Sequence, residues 1–194
     1  MDKLSRADLY SLEQYAEVRN DFRARVMAHK KHRNVQIGPH ATLLFEDRLT
    51  MQYQIQEMLR VERIFEATGI EEELEAYNPL IPDGGNWKAT FMIEYNDPAQ
   101  RKAALARLIG IDRQVWVRVV NHDKVFAISN EDLERETEDK TSSVHFLRFE
   151  LSGKMVEAAK QGASISAGID HEHYHHSIDP LPDQVRGALL QDLA

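Results

Sequence analysis

"WKATFMIEY", Trp87 to Tyr95, alternates Ala89, Phe91, Ile93 and Tyr95 with Lys88, Thr90, Met92 and Glu94. Successive side chains of a strand point to opposite faces, so this period of two predicts a strand with one apolar and one mixed face. Downstream, "QVWVRVV" (114–120) and "KVFAIS" (124–129) are β-rich runs separated by Asn121-His122-Asp123, a hairpin signal. "SSVHFLRFEL" (142–151) and "ASISAGID" (163–170) read as two further strands. Hairpins mixed with single helices favour an α+β fold, a mainly antiparallel sheet with helices packed on it, over a doubly wound parallel one. The sheet is expected to include 88–95, 114–120, 124–128, 143–151 and 163–170.

Upstream, Ser5 with Asp8 suggests a helix start, and a second helix is expected over about 20–32, with Phe22, Val26 and His29 on one face. "NVQIGPHATLLF" reads as an extended piece, a Gly38-Pro39 turn and a strand ending at Phe45. Residues 47–67 contain no Pro or Gly and predict the one long helix, closed by Gly69, with Met51, Ile55, Met58, Val61 and Phe65 on one face. "EEELEAYNPLIPDGGN" is expected to be an irregular loop. Shorter helices are expected after Asp97-Pro98, after Ser129 with Asp132, from Ser152 to Gln161, and from Pro182 to Leu193. With no repeat and no clear linker, residues 1–194 read as a single domain whose 171–194 segment is a His-rich loop and a short terminal helix.

At 42% hydrophobic and 29% charged residues the chain has a globular composition. It lacks any run of eighteen apolar residues and shows no apolar leader in "MDKLSRADLY", so a cytoplasmic protein without a membrane span is expected. Zero cysteine excludes thiol catalysis, disulfides and Cys-ligated zinc or iron–sulfur sites. A net charge of −8 argues against general nucleic-acid or anionic-membrane binding.

Histidine is unevenly placed: "DHEHYHHSID" (170–179) holds four of the nine. Period two carries the face of Ile165, Ala167 and Ile169 on to His171, and His145 shares a face with Leu147, Phe149 and Leu151. Two inward histidines on neighbouring strands, a carboxylate from Glu62 in the apolar arc of the long helix, and His40 after the Gly-Pro turn would make a ligand set for Fe(II), Mn(II) or Zn(II). The competing readings are a core His145 satisfied by its neighbours, Glu62 in an ion pair with Arg118 or Arg148, and a solvated loop for His173, His175 and His176.

The second concentration is basic. Between Arg19 and Arg33 there are six Lys or Arg against Asp21 alone. Lys30, Lys31, His32 and Arg33 either complement the C-terminal end of a helix dipole or form an anion- or partner-docking surface. No phosphate loop, nucleophile elbow, dinucleotide fingerprint or His-Glu-x-x-His motif is present, so no reaction is read from the sequence.

The phrases "AHKKHRNVQIGPHATLLFEDRLTMQYQIQEMLRVERIFE" (28–66), "AYNPLIPDG" (76–84), "VHFLRFEL" (144–151) and "GIDHEHY" (168–174) resemble a bacterial family catalogued as a domain of unknown function. The resemblance spans about Arg6 to Tyr174. Members resemble one another as single-domain cytoplasmic proteins, often encoded beside rubrerythrin and a cysteine-rich iron–sulfur oxidoreductase. It therefore implies oxidative-stress or redox metabolism and a redox-protein partner. Three functions follow as expectations: a His/carboxylate metalloprotein, a non-catalytic factor docking an acidic redox protein through the basic patch, or an anion or small-molecule binding domain.

Overall fold

The computed structural model describes residues 2–194 and is α+β, with six helices and two antiparallel sheets. Helix α1 (Leu12–Lys30) leads into the hairpin of β1 (Asn34–Ile37) and β2 (Ala41–Glu46), then α2 (Arg48–Glu62) and α3 (Ala67–Tyr77). Strand β3 (Asn86–Ile93) and helix α4 (Pro98–Arg107) precede β4 (Val115–Val119), β5 (Val125–Phe126) and β6 (Ile128–Ser129). The chain ends with β7 (Val144–Glu150), α5 (Gly153–Lys160), β8 (Ile165–His171), β9 (Tyr174–Ile178) and α6 (Asp183–Leu190). No helix among the described residues is long and apolar enough to cross a membrane.

The expected strands divide between two sheets, ordered β1-β2-β3-β7-β6 and β5-β4-β8-β9. Their apolar faces meet in one core: Leu43, Phe45, Trp87, Phe91 and Phe149 from the first, Val117, Ile165, Ala167 and Ile169 from the second. Ala127, between β5 and β6, bonds back to Val115, so the chain passes from one sheet to the other at this edge. Helices α2 and α3 bury Met51, Ile55, Leu59 and Leu74 with Leu4 and Ile81 in a second cluster.

Several local expectations are corrected. Ser5 and Asp8 bond to each other but close only a 3₁₀ turn, whereas Ser11 and Gln14 cap a single helix through Lys30 in place of two. The 47–67 helix stops at Glu62, where Arg63 adopts a left-handed φ of 56°, and α1 is the longer helix. The acidic stretch expected as a loop forms α3, because Ile70, Leu74 and Tyr77 recur at helical spacing and pack on α2. No helix follows Ser129: Leu133 is the lone large apolar residue of "EDLERETEDK" and is exposed, so a helix there would have no face to bury. The expected His-rich loop is a hairpin turning at Glu172-His173, with Tyr174 inward in β9 and His175 and His176 outward.

Candidate functional site

The four expected metal ligands do not gather into one cluster among the described residues. His145 is on β7 in the five-stranded sheet, His171 on β8 in the four-stranded one, and Glu62 is exposed at the last residue of α2, where the core no longer reaches. Among the described residues no group of three or more His, Asp or Glu side chains is gathered as a metal ion would require. Each histidine is held by protein groups. Asn130 Nδ2 donates to Asp112 Oδ2 (3.1 Å) and to His145 Nδ1 (3.0 Å), which leaves the His145 Nε2–H to donate to the Ser142 carbonyl (3.0 Å). Burial pushes the His145 pKa down despite Asp112, so the neutral ring fits this network. His171 donates from Nε2 to the Ile109 carbonyl and accepts the His173 amide at Nδ1. His40 bonds from Nδ1 to the Glu94 carbonyl and stacks on Tyr95 at 3.9 Å.

The basic run is also divided. Lys31 and His32 are exposed, and Lys30 lies over the Tyr53 ring at 5.6 Å. Arg33, expected on the docking surface, is buried at 1% exposure. Its Nε donates to Asp47 (2.9 Å) and its Nη1 and Nη2 to Asp192, five positions after the C-terminal helix passes Gly187. One guanidinium serves two buried carboxylates unequally. Desolvation works against ionised Asp47, but Arg33, the Thr50 amide and His29 outweigh it and hold its pKa low. At Asp192 desolvation wins over Arg33 and pushes the pKa up to about 7. This knot ties the C-terminal segment to the start of α2, and the adjoining Ala194 amide bonds to Gly84. It is a structural clamp.

The strongest site lies on the outer face of the five-stranded sheet, opposite the core. The register aligns Glu46 of β2 with Lys88 of β3, Lys88 with Arg148 of β7, and Arg148 with Ile128 of β6. Two cations therefore face each other directly across a strand pair, an arrangement that is ordinarily destabilising. Glu46 does not neutralise them: it is buried and accepts from Thr90 Oγ1 instead. Arg148 is clasped by Glu131 through Nε and Nη2 (2.9 and 2.8 Å) and by Glu150 through Nη1 (2.5 Å). Among the described residues Lys88 has no ion-pair partner. Desolvation first, and then the Arg148 charge, pull its pKa below the ordinary lysine value, against the weaker pull of Glu131.

Lys88 and Arg148 line a pocket of about 370 Å³ between this sheet face, the end of α3 and the segment after β6. Ala76, Tyr77, Pro79 and Leu80 form one apolar wall, and Phe146 forms the floor. Arg135 closes the third side, its guanidinium 4.6 Å above the Phe146 ring and paired with Asp132 (2.5 and 2.6 Å). Arg148 and Arg135 are thus each matched to acids of the rim, whereas Lys88, and Glu75 at the end of α3, carry no ion pair among the described residues. Alternation in "WKATFMIEY" shows Lys88 only as a polar-face residue. Its significance depends on pairing with Arg148, sixty residues away in sequence, which no local pattern reveals.

Fold and site together define an α+β protein of two facing antiparallel sheets with an apolar, lysine-bearing pocket on one outer face. The chain belongs to the family described as "Protein of unknown function (DUF3501)", which matches residues 3–193. It is similar to a crystal structure described as a novel protein of unknown function from Burkholderia pseudomallei K96243, with 52% identity, full coverage of both chains and a TM-score of 0.95. Among curated proteins none matches it.

Proposed function

We propose that this chain binds a small amphipathic carboxylate in the pocket between α3 and the five-stranded sheet. The observation that carries the reading is Lys88, a partly buried ammonium without a partner among the described residues, set opposite Arg148 in a pocket with apolar walls. Ligand sites of this kind combine mostly apolar walls with a few placed polar groups. A carboxylate would supply the charge that Lys88 lacks, while an aromatic or alkyl body covered Tyr77, Leu80 and Phe146. The anion-binding function expected of Lys30, Lys31, His32 and Arg33 is thereby assigned to a different lysine.

Thermal unfolding against phenylacetate, benzoate and hexanoate, with the corresponding neutral amides as controls, tests the reading. Carboxylates are expected to raise Tm and amides to leave it unchanged. At about a hundredfold excess over Kd a ligand stabilises by about 2.7 kcal/mol. Lys88→Met should abolish the response. Equal responses to acids and amides, or an undiminished response in the variant, would overturn it.

A further inference from the structure

We propose that Lys88 is also a nucleophile, forming a reversible imine with aldehydes whose apolar body fits the same pocket. The inference rests on the ligand-pocket reading and deepens it by naming a second substrate class. A lysine amine attacks a carbonyl only when unprotonated, and it is activated by desolvation in an apolar pocket or by a neighbouring cation. Lys88 has both: the pocket partly buries it, and Arg148 stands directly across the strand pair. The depressed pKa agrees with this geometry. Of the three acids lining the pocket, Glu131 gives both carboxylate oxygens to Arg148 and Asp132 gives both to Arg135, which leaves Glu75 as the one without an ion pair among the described residues.

The chemistry needs no further reactant. The nitrogen lone pair of Lys88 forms a bond to the carbonyl carbon, and the C=O π pair moves to oxygen, which takes up a proton as nitrogen loses one. The carbinolamine then expels its hydroxyl as water with a second proton taken from solvent, the nitrogen lone pair forms the C=N bond, and the remaining N–H returns that proton to solvent to give the neutral imine. Hydrolysis reverses each step. Phe146 and Tyr77 form apolar surface beside the amine for an aromatic or alkyl substituent.

The test uses the full chain, benzaldehyde as probe and cyanoborohydride to trap the imine as a secondary amine, read by intact mass and peptide mapping. One benzyl group per chain, located at Lys88 and formed faster than at any exposed lysine, is expected. Lys88→Met should lose the label, and its Tm without ligand reports that it folds. Labelling spread evenly over the lysines would overturn the imine, as would its absence from wild type. If phenylacetate still stabilises that unlabelled protein, the carboxylate pocket stands and the nucleophile alone is lost; if it does not, both readings fall.

Discussion

Replacing Lys88 with methionine should make the unliganded protein more stable. Methionine has similar length, and it removes a partly desolvated charge facing Arg148 across the β3–β7 pair. Like charges directly opposite one another cost about 0.2–1 kcal/mol, so a gain of about 0.5–1 kcal/mol is expected, or roughly 1–4 °C in Tm for a domain of this size. The pH dependence identifies the cause. Because the folded pKa of Lys88 lies below the ordinary lysine value, the unfolded chain binds more protons in the interval between the two, and wild-type stability gains from this group as pH rises through it. The advantage of Lys88→Met is therefore largest at neutral pH and fades above the ordinary lysine range. Urea unfolding of both proteins from pH 6 to 11 measures it. A variant less stable than wild type at neutral pH, or a difference independent of pH, would show that the Lys88 charge does not destabilise the fold.

Arg33→Met should destabilise by about 3–5 kcal/mol, the cost of breaking a buried ion pair and leaving carboxylates uncompensated, here Asp47 and Asp192; denaturant unfolding checks it. Asp192, pushed up to about 7, contributes stability that is full below the ordinary carboxylate range and lost as pH rises through about 7. Asp192→Asn should remove that falling component from the pH–stability profile, and an unchanged slope would contradict the clamp. Since the ring nitrogens of His145 and His171 are already bonded within the protein, Zn(II), Mn(II) and Fe(II) are expected to give no stoichiometric stabilisation of tag-free protein, measured by thermal unfolding. Arg63→Gly should stabilise by about 0.5–1 kcal/mol, because glycine relieves the left-handed backbone at the end of α2.

What the sequence reveals follows from the range of the forces involved. Alternation makes β3, β4, β7 and β8 legible, since each has one face in the common core. Their division into two sheets is not legible, because it depends on which strands pair. Helix α3 escapes notice because its four glutamates and the proline after it resemble a loop, while Ile70, Leu74 and Tyr77 acquire meaning only against α2. Arg33 reads as one of six cations and proves buried because its partner Asp192 lies 159 positions away. Inward placement of His145 and His171 is read correctly from period two, but each ring is bonded to its own protein groups, which lie far off in sequence from the strand that carries it or depend on the turn beyond it. Glu62 falls within an apolar helical arc whose neighbours Val61 and Phe65 are themselves exposed, so the arc is wider than the surface that covers it.

The most direct test of the site is the titration of Lys88 itself, followed by NMR of its ε-methylene in protein with and without saturating phenylacetate. In the free protein Lys88 should titrate below the exposed lysines. Phenylacetate should move it upward, because a carboxylate that binds the ammonium must, by linkage, stabilise the protonated form. A Lys88 that titrates with the exposed lysines and does not respond to the ligand would contradict the account.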